Sequence, residues 1–548
     1  MELKSGISLY NYQKNIVNWM KNTKNYSING SRGGILYVDM GLGKTFTTLE
    51  YLRQTKSKQA LIVCSKILID EWISQINKFY EKKPKIFVFH SSFNKIKDVT
   101  RQQIEESDIV LTTYHMISRS NKVSKTNKLS SSLVYIEEDA NPRFNKWRIS
   151  DYREKNFSFK KGQNVLHSIK WDNVICDESQ NITNWKTSFF QSIYVLNTKS
   201  IFGLSGTPIK NNKKEFITTL KMLKVNGFNY PCEWKDEKKS YVDDYYFNLF
   251  YDVDYKTANI TLPKVNNIVK ELDFNEQDKV VLLKYIDIWN KYMDQKRKKT
   301  SLDDDIMGKL IGVFTRLRQI SLDKILLVQT KLGLDQYIDA TTELQDMVGE
   351  EEMKHNLTFG NAKSDELKGI FNEVKQRNEK VIVFSSFTTY LKMIVENIEG
   401  QDITFIESVD SIPQRRKKIE KWKKSKDNNI LIMNYRIGAE GLNLVEANNV
   451  VLLDTWWNFT YEKQAIARCH RIGQTKSVNV YRLLFKNSIE TLMFNKSVFK
   501  SDIFGKIQRH ERTEDDESKL SAENMDKMVQ AIKLGLQTIK LKTEELES

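Results

Sequence analysis

The chain has 548 residues, 40% hydrophobic and 28% charged, a length that implies about two to four domains and a balance that excludes a disordered chain. Lysine and arginine total 86 against 70 acidic residues; the resulting charge of +16 favours a polyanion partner. Cys64, Cys176, Cys232 and Cys469 are far apart with no CxxC pair, which excludes a cysteine zinc site, and no apolar run approaches the ~20 residues of a membrane span. With no signal-peptide core after Met1, a soluble intracellular protein, nuclear or cytoplasmic, is expected.

Leu9, Tyr12, Ile16, Val17 and Met20 predict a short amphipathic helix. Gln13 on that helix carries both an amide donor and an acceptor, the pair that matches an adenine edge. The apolar run 35–38 then predicts a buried strand, and residues 46–53 a helix. Between them lies Asp39-Met40-Gly41-Leu42-Gly43-Lys44-Thr45. Strand, glycine-interrupted turn and helix is the order of a phosphate-binding loop. Backbone N–H groups of Gly41, Leu42 and Gly43 would curl around an anion at a helix N-terminus. Lys44 would reach the β- and γ-phosphates, and the Thr45 hydroxyl would hold Mg²⁺. The strict G-x-x-x-x-G-K-[ST] spacing breaks only at its first position, where Val38 stands. A nucleoside-triphosphate site is expected here.

Continuous apolar runs follow at 60–64, 86–89 and 109–111, with an amphipathic helix between the first two. Such runs suit strands buried on both faces, and the alternation predicts an α/β doubly wound parallel sheet with ligands at the carboxyl ends of its strands. Ser65 and the pair Thr112-Thr113 stand at such ends. Residues 119–165, rich in Ser, Asn and Lys, read as a surface insertion. The next strand runs into Asp177-Glu178-Ser179-Gln180. The first carboxylate would hold Mg²⁺ and the second would polarise the attacking water. The strand 201–204 ends in Ser205-Gly206-Thr207-Pro208, whose hydroxyls would sense the γ-phosphate.

Residues 226–360 read as a mainly helical insertion and connector. Leu282, Tyr285, Ile286, Trp289 and Met293 form a packing stripe there, followed by the basic Lys296-Arg297-Lys298-Lys299. The α/β rhythm restarts in 361–495, with strands at 381–384, 403–406, 430–433 and 450–453 and a basic helix at 415–424. Ser385-Ser386 and Gly441 stand at strand ends or in turns, and Gln464, Arg468 and Arg471 fall on one predicted helix. Arg468 and Arg471, three apart, are expected to share a face and to meet the charge developing on a γ-phosphate. Residues 496–548 read as a charged helical tail.

Together these segments resemble the superfamily-two helicase-like ATPases, and within them the SWI/SNF-like (Snf2-type) DNA translocases. Residues 39–45 match motif I, 177–180 motif II, 205–211 motif III, 441–444 motif V, and 464–474 with Val478 and Tyr481-Arg482-Leu483 motif VI. Asp454-Thr455-Trp456-Trp457-Asn458 is similar to the family's Asp-x-Trp-Trp-Asn signature, and Arg316-Leu317-Arg318-Gln319-Ile320 to its Leu-Arg-Gln-x-Cys block, with Ser321 for the cysteine. Tyr37 and Val38 replace the usual Ala-Asp, and motif II ends Ser-Gln rather than Ala-His or Gly-His. The resemblance implies two RecA-like lobes, 1–225 and 361–495, that use ATP and Mg²⁺. Lys44, Asp177, Glu178, Arg468 and Arg471 would be catalytic, Thr45 and Asp177 the metal ligands. Gln13, Gly41, Leu42, Gly43, Lys44, Thr45, Gly441 and Gln464 would contact the nucleotide. Ser65, Thr112, Thr113, Ser385 and Ser386 would face double-stranded DNA. The compact size is similar to viral, phage and bacterial members. Two other readings stay open: a strand-separating helicase or transcript-release ATPase on single-stranded DNA or RNA, and a nucleic-acid-binding protein with a dead ATPase.

Overall fold

Two units make up the chain in the computed structural model, Met1–Thr261 and Leu262–Ser548. The structure describes residues 1–25, 31–120, 135–137, 146–148, 165–185, 187–206, 213–225, 249–298, 304–329, 359–427, 429–438, 442–455, 459–495 and 529–530. No helix among them is long and apolar enough to cross a membrane.

The first unit is built on a seven-stranded parallel sheet. Its strands are β1 (Gly33–Val38), β2 (Ala60–Cys64), β3 (Ile86–Phe89), β4 (Ile109–Thr113), β5 (Asn173–Asp177), β6 (Ile201–Ser205) and β7 (Phe250–Val253), in the spatial order β7-β1-β6-β5-β2-β4-β3. All residues of β1, β2, β4, β5 and β6 are buried, the result expected of apolar strands covered on both faces. Helices α1 (Asn11–Asn25), α2 (Lys44–Gln54) and α3 (Lys66–Phe79) cover one face, packing Ile16, Met20, Leu49, Leu52, Ile69 and Trp72 over it. Helix α4 (Tyr114–Ser120) follows β4. The sheet order places the ends of β1, β6 and β5 side by side, with Tyr37 beside Ser205 and Leu204 beside Asp177. Motifs far apart in sequence meet through this order. In the insertion, Tyr135–Glu137 and Lys146–Arg148 pair as an antiparallel ribbon.

The second unit carries a six-stranded parallel sheet. Its strands are β8 (Val265–Leu272), β9 (Val381–Ser385), β10 (Ile403–Ile406), β11 (Ile430–Asn434), β12 (Asn449–Leu452) and β13 (Val478–Phe485), in the order β8-β13-β12-β9-β11-β10. Helices α5 (Glu276–Lys298) and α6 (Asp304–Ile320) pack their stripe of Leu282, Tyr285, Ile286, Trp289 and Met293 into one core cluster. Helices α7 (Ala362–Gln376) and α8 (Thr388–Asn397) cover one face of the sheet. Helices α9 (Ile412–Lys424) and α10 (Phe459–Ile466) pack on the other through Ile419, Trp422 and Ala465. The two parallel-sheet α/β lobes are the architecture expected from the sequence.

The stretch 226–360 contains more than helices. β7 extends the first sheet beside β1, and β8 extends the second beside β13. Both are edge strands, partly exposed and mixed in polarity, so they lack the continuous apolar run of a central strand. Of the expected tail, only Val529 and Gln530 are described; Val529 is buried in the cluster with α5 and α6. The rest of the tail lies outside the described residues.

Candidate active site

The loop after β1 turns at two left-handed glycines, Gly41 (φ 93°) and Gly43 (φ 77°), and Gly43 leads directly into α2. A side chain at Gly43 would be strained, and its Cβ would lie 2.8 Å from the Gln13 amide nitrogen. That amide donates to the Leu42 carbonyl (3.4 Å), while its oxygen accepts from the Tyr10 N–H (3.1 Å). Tyr12 donates its hydroxyl to the same carbonyl at 3.0 Å. Helix α1 thus packs its polar side chains on the back of the loop. The loop is also held from β7: the Asp39 N–H donates to the Val253 carbonyl (2.9 Å), and the Tyr255 hydroxyl donates to the Met40 carbonyl.

Lys44 folds over the loop and donates to the Val38 carbonyl at 2.6 Å. Thr47 and Thr48 turn their hydroxyls back onto the Gly43 and Lys44 carbonyls. The half-buried Thr45 hydroxyl makes no such bond among the described residues, which leaves it available to a cation. Gly206, at the end of β6, comes so close that a Cβ there would lie 3.4 Å from Lys44 Nζ.

Asp177 ends β5, 7% exposed. Its Oδ2 accepts from the Trp72 indole N–H (2.9 Å) and its Oδ1 from the Glu178 N–H (3.0 Å); its carbonyl accepts from the Tyr114 hydroxyl (2.8 Å). Burial and then the neighbouring Glu178 push its carboxyl up to about 6, against the opposing pull of the Trp72 bond and the Lys44 charge. A carboxylate so placed favours a nearby cation. Glu178 adopts the left-handed conformation (φ 51°), which turns the chain sharply after the strand. Its Oε2 accepts from the Gln180 amide, whose Oε1 accepts from Ser205 Oγ at 2.8 Å. Gln180, at the departure from the usual histidine, bridges the ends of β5 and β6. These donors and acceptors suit a magnesium–nucleoside triphosphate: a curled loop of N–H groups, an amine, a free hydroxyl and two acids.

In the second unit Arg468 and Arg471 do not share a helix face. Helix α10 ends at Ile466, and tight turns follow, in which Arg468 N–H donates to Ala465 and Cys469 N–H to Ile466. The Gln474 amide stabilises this turn by donating to the carbonyls of Val445, Ala447 and Cys469. Arg468 is buried, and Arg471 donates to the Leu442 carbonyl at 3.3 Å. Gln464 is buried on α10. Gly441, Thr207, Pro208 and the two tryptophans at 456 and 457 lie outside the described residues.

The SNF2-related domain matches residues 12–324, and the helicase conserved C-terminal domain residues 362–473. The chain belongs to the SNF2 family of helicase-like ATPases. It is 26% identical to the 172L protein of Invertebrate iridescent virus 6, named as a helicase, over 98% of this chain and 96% of that one. It is 25% identical to the ISWI chromatin-remodeling complex ATPase ISW2 of Saccharomyces cerevisiae, over 91% of this chain but 40% of the yeast protein. The chain spans about half or less of seven further curated relatives. The Sulfolobus solfataricus SWI2/SNF2 ATPase core in complex with dsDNA aligns with 95% of this chain and 97% of that chain, at 20% identity and a TM-score of 0.38.

Two of the SNF2 signature residues of the second unit, Arg318 and Asp454, meet in one polar cluster. Arg318, from the Arg316–Ile320 block, donates to Asp454 Oδ2 (3.1 Å) and Ser386 Oγ (3.2 Å). Asp454 accepts the Ser386 N–H at 2.8 Å and also its hydroxyl. Lys363 and Glu490 lie beside it as a buried ion pair at 2.7 Å, and Lys363 also donates to the Leu453 carbonyl. The five expected DNA-facing side chains fare differently. Thr112 is wholly buried and donates to the Phe89 carbonyl; Thr113 accepts the Met116 N–H; Ser385 is buried and accepts the Phe387 N–H. These three hydroxyls are buried and engaged within the unit, so the main chain is what they leave for an outside phosphate. Ser65 is exposed ahead of α3, and Ser386 is half-buried. Trp72, Tyr114 and Arg318 were not among the expected site residues, and for the first two the only sequence signal is that a buried indole or phenol needs a hydrogen-bond partner.

Proposed function

We propose that this protein is a DNA-dependent ATPase that couples ATP hydrolysis to movement along, or remodelling of, double-stranded DNA complexes. The observation that carries it is the convergence of Lys44 and Thr45, after β1, with Asp177 and Glu178, at the end of β5, on either side of β6 within a chain of the SNF2 family. The net charge of +16 supports a polyanionic track. Mg²⁺–ATP, when bound, supplies the phosphoanhydride whose hydrolysis does the work. Gly41, Leu42 and Gly43 hold phosphate with main-chain N–H groups, and Lys44 neutralises it. Thr45 and Asp177 would hold the metal ion. Glu178 orients the attacking water and takes its proton, and Gln180 ties that carboxylate to Ser205. Arg468 and Arg471 would meet the charge of the phosphoryl group, and Gln13, Gln464 and Gly441 would position the nucleotide. Ser65, Ser386 and the main chain at Thr112-Thr113 and Ser385 contact the sugar–phosphate backbone, without reading sequence.

Steady-state ATP hydrolysis by wild type and Glu178→Gln, with duplex DNA, single-stranded DNA or RNA, tests this. Stimulation by duplex that disappears in the variant is the expected result. Stimulation by single strands or RNA alone would replace the reading with an unwinding or transcript-release ATPase. No hydrolysis under any condition would leave a nucleic-acid-binding protein.

A further inference from the structure

Helix α9 carries more positive charge than its packing needs. Its inner face is apolar, with Ile419 and Trp422 buried against the sheet. Three of its cations are tied to the unit itself. Arg415 donates to the Ser408 carbonyl (2.9 Å), Lys418 pairs with Asp410 (2.7 Å), and Lys423 lies 3.3 Å from Glu446. Arg416, Lys417, Lys421 and Lys424 are exposed, and their side chains have no partner among the described residues. At about 100° per residue these four fall within an arc of about 140° that contains one acid, Glu420, and no apolar side chain from Arg416 onward.

Two bland explanations account for only part of this. The helix dipole favours cations in the last turn, which explains Lys421 and Lys424. It gives no reason for Arg416 and Lys417, which sit in the second turn, beyond the reach of either helix end. Lys417 and Lys421 also repel each other as an i,i+4 pair. Solubility calls for charges of both signs, whereas this face is nearly all of one. The helix rises about 12 Å from Arg416 to Lys424, the span of about three or four successive phosphates at 3.4 Å per strand residue. A protein partner would want an apolar anchor in the patch, and the arc holds none.

We propose that the outward face of α9 is a second polyanion site, which lies along one sugar–phosphate strand of a DNA duplex. The helix runs from the carboxyl end of β10 back to the amino end of β11 and packs Ile419 and Trp422 on the sheet, so its outward face lies on the flank of the unit. The site shares its ligand with the proposed function but none of its residues. It would hold a second stretch of DNA, or lengthen the grip on one, without entering the hydrolysis cycle.

The test uses the full chain with Arg416→Gln, Lys417→Gln, Lys421→Gln and Lys424→Gln together; glutamine keeps the helix propensity. Duplex binding is measured across a salt series, and ATP hydrolysis at saturating duplex. The salt slope of the association constant is expected to fall by about 3, with the saturated rate unchanged. A companion variant that keeps the charges, Arg416→Lys with the three lysines changed to arginine, is expected to keep the wild-type slope. An unchanged slope in the glutamine variant overturns the proposal, as does an equal loss of the saturated rate, which would make the helix part of the coupled track. Loss of poly-glutamate binding with duplex binding intact would overturn it in favour of an acidic protein partner. Failure of duplex to stimulate wild-type hydrolysis, with the slope still falling, would sink the proposed function and leave the strip standing.

Discussion

Asp177 is a carboxylate that the fold holds close to neutrality. Because burial and Glu178 raise it to about 6, it gains a proton as the pH falls through that value and loses the charge that the proposed metal ion would need. Magnesium-dependent binding of a fluorescent ATP analogue should therefore weaken by about tenfold per pH unit below 6. In Glu178→Gln the like charge is gone, so the onset should move to lower pH; an onset at the same pH in both proteins would refute the like-charge account. Trp72→Phe removes the indole donor at 2.9 Å, so the onset should move to higher pH. The same change should cost the first unit about 1–3 kcal/mol in urea unfolding, since a buried acceptor loses its partner. If Trp72 only fills space, phenylalanine will lower stability without moving the pH onset.

At the scale of elements, the phosphate loop depends on neighbours that approach from both sides. Gly43→Ala would force a left-handed alanine against the Gln13 amide, at about 1–2 kcal/mol for the backbone alone. Nucleotide affinity should fall by at least tenfold, with the unfolding slope unchanged; unaltered affinity would mean that the loop relaxes on binding. Helix α6 is held to the ends of β9 and β12 by Arg318, 12% exposed, and Asp454, 2% exposed. Arg318→Gln leaves that acid buried without its counter-charge and should destabilise the second unit by about 3–5 kcal/mol. The double variant with Asp454→Asn should recover part of the loss, and strict additivity would show that the pair is not coupled. The central strands and the loop were legible in the sequence because apolar runs ending in glycine or acids have few other meanings. β7 and β8 were not, because an edge strand half in water carries mixed residues. Nor was the Arg318–Asp454 bond, between residues 136 positions apart, since local pattern says nothing about which strand end a helix will reach. The Arg468–Arg471 spacing suggested a helix, but Gln474 stabilises a turn there instead.

The whole molecule has its described core clusters divided between its units. One lies entirely within Met1–Thr261 and the other three within Leu262–Ser548. Denaturation should therefore proceed in two transitions, which can be assigned by variants confined to one unit. Between pH 6 and 4, acid should act on the first transition chiefly through two groups of opposite sign. His167 donates its Nε2–H to the Ser192 carbonyl at 3.0 Å, while its Nδ1 is buried with no partner among the described residues. Burial pushes its imidazole down to about 4. A base lowered in the folded state contributes stability that is complete above its unfolded value of 6.5 and is lost as the pH falls from 6.5 to 4, by about 3 kcal/mol. Asp177 works the other way. An acid raised above its unfolded value by burial and by Glu178 makes the folded unit more stable as the pH falls. The two effects oppose each other, so the wild-type first transition should lose less stability between pH 6 and 4 than His167 alone would cause. His167→Gln keeps an amide donor for Ser192 and cannot titrate, so it leaves the Asp177 effect uncompensated. Its first transition should match wild type above pH 6.5 up to a constant offset and become more stable relative to it by about 3 kcal/mol at pH 4. The second transition should move equally in both proteins. Parallel first transitions across the range would show that His167 takes up its proton inside the fold as readily as outside it.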